Sequence, residues 1–175
     1  MGASVIQLIP KSELAPGQAA AVRNEIIGQV LQRAANELKM TIDKLVVRDI
    51  RPKSDLDYTY EDWRETTGAT ADAYETMSTG TLADQRWIVI FGVKDDVDNR
   101  SCSAIKINVG GADMAIWTLQ QLGEEDNMVG ISPGGVVIPP NAPYTISRFV
   151  RSANSTSNLV LKGVVIEPRG KVVSP

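Results

Sequence analysis

Residues 123–169 read GEEDNMVGISPGGVVIPPNAPYTISRFVRSANSTSNLVLKGVVIEPR. Short runs of β-forming residues, at 128–131, 136–138, 144–150 and 159–166, alternate with clusters of Gly, Pro, Asn and Ser. β-branched and aromatic side chains suit a pleated, half-buried surface, whereas Gly, Pro, Asn and Ser punctuate it with turns. The stretch therefore reads as antiparallel β-structure. Its clearest strand alternates strictly, with Tyr144, Ile146, Arg148 and Val150 on one face and Thr145, Ser147, Phe149 and Arg151 on the other. Ser132, Pro133, Gly134 and Gly135 read as a turn. Pro139 and Pro140 cannot donate to a ladder and place an edge or corner there. Residues 123–127 read as an acidic turn.

The same pattern extends towards the N-terminus. Residues 86–94, RWIVIFGVK, are almost continuously apolar, which predicts a strand buried on both faces. Residues 95–99, DDVDN, follow as a turn. Their carboxylates lack the Gly and distal Glu of a calcium-binding loop and read as a solvated turn. Residues 101–109 and 115–122 form two further strands joined through Gly110 and Gly111, a hairpin signal. Residues 41–51 supply one more. The candidate strands are 43–51, 86–94, 102–109, 115–122, 128–131, 136–139, 144–151 and 159–167. Eight short strands at close spacing predict a mainly β chain, an antiparallel β-sandwich of jelly-roll type.

Before this sandwich stands one helix. Residues 18–40 contain no Pro, and Val22, Ile26, Val30, Ala34 and Leu38 recur every fourth residue, flanked by Ile27, Leu31 and Ala35. The stripe is broad enough to cover a face of the domain, and equally to form an arm packed on another subunit. Residues 1–41 thus read as an N-terminal arm and helix, and residues 42–175 as the sandwich domain. Within the latter, residues 52–84 read as a long polar connector, with 69–77 as a short helix. Tyr58, Tyr60 and Trp63 lie among its acidic residues. They suit a contact surface, or rings that anchor the connector to its own domain.

The residue counts restrict the chemistry. The chain has 175 residues, 43% hydrophobic and 22% charged, which fits one globular domain. It has no histidine, so the commonest metal ligand and the usual general base at neutral pH are both missing. The segment ISPGGVVIPPNAPYTI resembles a cupin strand–turn–strand, but the histidines with which a cupin holds its metal are not there. A single cysteine, Cys102, rules out an internal disulfide and reads as a small buried side chain. No nucleotide-binding glycine loop or G-x-S-x-G elbow occurs. A net charge of −3 gives no basic footprint for nucleic acid. No window is apolar for the length of a membrane span, and the N-terminal stretch does not read as a secretion signal. No catalytic, cofactor-binding or metal-binding residue is expected.

The arm with its helix, the Tyr/Trp connector and the strands GGVVIPPNAPYTI and LVLKGVVIEPRG together resemble small structural proteins of tailed-phage virions, of the capsid cement (decoration) or neck (collar) type. That resemblance implies a non-enzymatic homo-oligomeric subunit of a virion, made in the host cytoplasm, whose partner is a major capsid or neck protein. No cofactor, membrane or direct nucleic-acid role is implied. The residues expected at its interface are Val22, Ile26, Val30, Leu31 and Leu38 of the helix, with Tyr58, Tyr60 and Trp63 of the connector. The alternative is a carbohydrate- or receptor-binding sandwich that stacks sugars on Tyr58, Tyr60, Trp63 and Trp117.

Overall fold

The computed structural model describes residues 8–96, 100–119, 122 and 129–172. The strands are β1 (Ile9–Pro10), β2 (Leu45–Asp49), β3 (Arg64–Thr66), β4 (Ala73–Thr81), β5 (Trp87–Asp95), β6 (Cys102–Val109), β7 (Ala112–Thr118), β8 (Val129–Ile138), β9 (Pro143–Val150) and β10 (Thr156–Pro168). The helices are α1 (Gln18–Leu38) and the short α2 (Pro52–Leu56). Part of the 95–99 turn and the whole of the 123–127 turn lie outside the described residues.

Two antiparallel sheets form. Sheet A runs β1-β8-β5-β10-β2, with β3 also paired to β10, and sheet B runs β4-β9-β6-β7. The pairings are nested: β6 with β7, β5 with β8, β4 with β9, and β2 with β10. A long hairpin wound around itself gives this result, since successive pairs fall alternately on one sheet and the other. It is the jelly-roll winding, with β1 and β3 added. Gly110 and Gly111, at φ of 62° and 84°, make the innermost turn between β6 and β7, where both central residues need the left-handed region.

The apolar residues divide into two layers. Ile88, Ile90, Ile105, Ile107, Trp117, Ile146 and Val165 fill the space between the sheets. Trp87, Val89, Phe91, Val164 and Ile166 point the other way and meet Ile26, Ile27, Val30, Ala34 and Ala35 of α1. This explains the unbroken apolarity of β5: one face belongs to the sandwich and the other lies beneath the helix. The helix is therefore a cover for its own domain, and the reading of it as an arm on another subunit does not describe where its apolar stripe goes.

Four details differ from the sequence reading. Residues 69–77 do not form a helix: Ala73–Thr81 is the nine-residue edge strand β4, half of whose side chains face solvent, which gave it a loop-like composition. The 52–84 connector is consequently built into the body, contributing α2, β3 and β4. The strands read at 128–131 and 136–139 are one strand, β8; between Ile131 and Val136 the register against β5 shifts, so Ser132–Gly135 bulge rather than reverse the chain. The strand read at 115–122 starts earlier and ends at Thr118.

Phe91 is a bulge on the central strand, because the register of β5 shifts past it against both β8 and β10. Glycines fill the crowded positions beside it. A Cβ on Gly92 would lie 2.3 Å from the carbonyl oxygen of Gly130. Since that obstacle is backbone, Gly92→Ala should cost about 2–3 kcal/mol as an overpacked core position. Urea denaturation monitored by tryptophan fluorescence measures it, and a loss under about 0.5 kcal/mol would show that the two strands separate easily at the bulge.

Candidate interaction surface

Helix α1 covers only part of the outer face of sheet A. At its N-terminal end the sheet is left open, and a cavity of about 610 Å³ lies between the helix start, the end of β2, the start of β3 and strand β10. This is within the size range of ligand pockets. Its apolar lining includes Phe91, Ile131, Val160 and Leu161, and its charged lining is Lys11, Arg23, Lys162 and Asp49.

Three cations thus stand against one carboxylate. The Arg23 guanidinium sits 5.8 Å from the centroid of the Phe91 ring. Lys162 is within electrostatic reach of Asp96, whose carboxylate is held below its usual range chiefly by the 2.8 Å contact with Lys94. None of Lys11, Arg23 and Lys162 makes an ion pair among the described residues. The start of α1 adds to the positive potential. Its N-cap is Gly17, with no side chain to cap the first N–H groups, and its first turn carries no acidic residue.

A second feature meets the cavity at β10. On the side away from β5, β10 pairs with β3 over Thr156–Asn158 and with β2 over Val164–Pro168. Residues 159–163 have no strand partner on that side, and residues 160–163 line the cavity together with Asp49 and Ile50 at the end of β2 and Trp63 beside β3. No strand pairs there, yet the interval is covered: Leu159 and Leu161 are buried, and Ile50 crowds Gly163.

Two ionic clusters fix these surroundings. Near the end of sheet A, Arg48 donates through Nη1 and Nη2 to Asp55 at 2.6 and 2.7 Å, and through Nε to Glu167 at 2.7 Å. Arg86 donates through Nε to Glu167 at 2.9 Å and lies 3.4 Å from Asp55. Inside sheet B, the fully buried Arg148 donates to Glu65 at 3.0 Å and Glu75 at 3.1 Å. Glu65 also accepts from the Tyr58 hydroxyl. Burial, and then the bond to Glu65, push the Tyr58 hydroxyl well above its ordinary pKa. Burial likewise raises the Cys102 thiol, which leaves it a poor nucleophile, and lifts Tyr144 to about 12.

The residues expected at an interface are mostly internal. Ile26 and Val30 lie on α1 and are buried against sheet A, and Val22, Leu31 and Leu38, partly buried, pack against the same layer. Tyr58 and Trp63 are buried against each other, with ring centroids 5.3 Å apart. Their apolar surface is already covered by the chain itself, so it is not available to a neighbour. Tyr60 alone stands out, at 52% exposure. The same burial removes Tyr58, Trp63 and Trp117 as platforms for sugar stacking. Conversely, Lys11, Arg23 and Lys162 were not singled out from sequence. No local pattern marks them, because they meet only through the winding of the sheets. No known family model matches the chain, and no curated protein sequence is similar to it.

Proposed function

We propose that this protein is a non-enzymatic structural subunit that packs into a homo-oligomeric or virion assembly, as a capsid cement or a neck or collar component. The supporting observation is the outer face of sheet B. Helix α1 covers part of the outer face of sheet A, but the described residues place no helix over this second face. It carries Tyr74 at 42% exposure and Met114 at 47%, with Phe149 and Ile116 partly exposed beside them. Tyr74 and Phe149 are paired across β4 and β9 and meet edge to face at 5.1 Å. Lys106 lies 4.3 Å from the Tyr74 ring centre, and Arg151 5.5 Å from that of Phe149. Aromatics, Met and Arg are the residues enriched in protein contacts, and here the rings are held in place before any partner arrives. The contact is thereby moved from the helix and connector to sheet B.

The purified protein should sediment as a species heavier than one chain, or join an assembly of its virion partners. Tyr74→Glu should weaken that association by about 2 kcal/mol or more, as loss of a central aromatic contact does, while leaving thermal unfolding nearly unchanged. A protein that stays monomeric at high concentration and joins no assembly would refute the reading.

A further inference from the structure

We propose that β4 pairs antiparallel with β4 of a second copy of this chain, about a two-fold axis perpendicular to the sheet at the middle of the strand, so that two four-stranded sheets B join edge to edge. The inference rests on the assembly reading and names one contact within it, which extends the Tyr74 face from one copy onto the next.

The direction of the backbone groups comes first. At one end of β9 the Arg151 N–H donates to the Ser101 carbonyl at 2.7 Å, and at the other the Pro143 carbonyl accepts from the Gly110 N–H at 2.8 Å. Both bonds lie on the β6 side. Backbone groups alternate along a strand, so Tyr144, Ile146, Arg148 and Val150 turn theirs towards β4. Opposite them in β4 stand Glu75, Ser78 and Gly80, with Ala73 at the end. The N–H and C=O groups of Tyr74, Thr76, Thr79 and Thr81 therefore point out of the sheet. All four residues are exposed. Among the described residues no strand pairs with that edge, and no turn or loop backbone bonds to these groups.

The second observation is what the edge lacks. Proteins usually blunt a long edge strand with Lys or Pro. β4 has nine residues and contains neither, and its one charged side chain, Glu75, is held by Arg148. The other sheet ends are poorer edges: β1 has two residues, β2 carries Arg48 and Asp49, and β7 carries Asp113 beside a register shift.

The third observation selects the partner. Tyr74, Thr76, Thr79 and Thr81 are spaced two, three and two residues apart, because the register shift between Thr76 and Ser78 inserts a residue. A regular strand offers outward groups at every second residue and matches only half of this set. A second β4 running antiparallel has the same interruption at the same place. Tyr74 then falls opposite the second copy's Thr81, and Thr76 opposite its Thr79. Every match is reciprocal, as a two-fold contact requires. The side chains pair as aromatic with β-branched and threonine with threonine, both favourable across strands.

Hydrogen exchange of the full chain over a concentration series tests the proposal. The amides of Tyr74, Thr76, Thr79 and Thr81 should slow at least about tenfold as concentration rises, while those of Glu75 and Gly80, directed at β9, hold constant. Two charged forms then test the register. Thr76→Lys with Thr79→Lys, and Thr76→Glu with Thr79→Glu, set like charges opposite each other across the axis. Each form should self-associate at least about tenfold more weakly in sedimentation, and mixing the two should restore a dimer. Recovery on mixing also shows that both forms fold. Charged forms that associate as the wild type does, or that fold and fail to recombine, would overturn the pairing. So would outward amides whose exchange ignores concentration in a sample that sediments as a heavier species, although the structural role would then stand. A chain that stays monomeric throughout removes both readings. The wild-type exchange decides the matter even where a charged form does not fold.

Discussion

Arg148→Met should destabilise the protein by about 3–5 kcal/mol, the usual cost of removing one partner from a buried ion cluster. Arg148 has 0% exposure and lies on the inward face of β9, between Ile146 and Val150. Its guanidinium is the cation shared by Glu65 on β3 and Glu75 on β4. Methionine fills similar space without the charge, so both carboxylates lose their partner while the burial remains. Glu65 would still face the Tyr58 hydroxyl, and Glu75 the N–H of Gly68 at 3.0 Å, but neither neutral donor replaces a cation. Adding Glu65→Gln and Glu75→Gln to the variant should recover more than half of the loss, because the members of one network are not additive. Urea denaturation of the single and triple variants measures both numbers, and a single-variant loss under about 1 kcal/mol would mean that water reaches these carboxylates freely.

The same cluster sets an acid limit. Burial pulls the pKa of Glu75 upward, but the N–H of Gly68 and the Arg148 charge outweigh it, and the net result lies below the ordinary carboxylate value. A carboxylate with a lowered folded-state pKa contributes stability above its unfolded pKa and loses it as pH falls through the folded one. Wild-type stability should therefore decline on the acid side of the usual carboxylate range, and Arg148→Met should show a shallower decline over the same interval.

The strands were legible because β6, β9 and part of β10 alternate in burial while β5 is apolar throughout, as a strand covered on both faces must be, and Gly110 with Gly111 marks the innermost turn. Arg148 was placed from sequence only by the alternation of its strand, on the face it shares with Ile146 and Val150, and its burial was not read there. What could not be read was its partner. Glu65 lies 83 residues away in sequence and Glu75 73, and nothing local in the chain pairs them with it. The connector was misread for the same reason. β3 has three residues, and β4 shows solvent its Tyr and Thr side chains, so both look like loop until their pairing with β10 and β9 is known. The groove is further still from the sequence, since Lys11, Arg23 and Lys162 belong to three elements that only the completed fold brings to one cavity.

Asp55→Asn should cost about 3–4 kcal/mol and should open the connector before the sheets. The cluster that contains Asp55 is balanced, with two arginines against two carboxylates, and every member is nearly buried. Asparagine keeps the shape but leaves Arg48 and Arg86 sharing Glu167 alone, an uncompensated charge in a place with little water. Asp55 also accepts the Arg51 N–H at 2.7 Å, at the start of α2. With five residues, α2 is far too short to persist alone, so its helical form depends on this anchor and on the fully buried Leu56, whose carbonyl accepts from Ser78. Hydrogen exchange should consequently quicken about tenfold or more at residues 52–58, while β5 and β10 keep their protection. Glu167→Gln is the contrasting case. It strikes β10 where β10 pairs with both β2 and the start of β5, and should speed exchange across the sheet as a whole. If Asp55→Asn instead loosens every strand equally, the connector is part of the folding core rather than a segment clamped onto it. The distinction reaches the surface of the molecule, because Ile50 and Trp63 stand on either side of this anchor and both line the open groove. A connector held by Asp55 at one end and by Glu65 at the other therefore also fixes two walls of that cavity, and Asp55→Asn should loosen the Ile50 wall first, since Glu65 keeps its bond to Arg148.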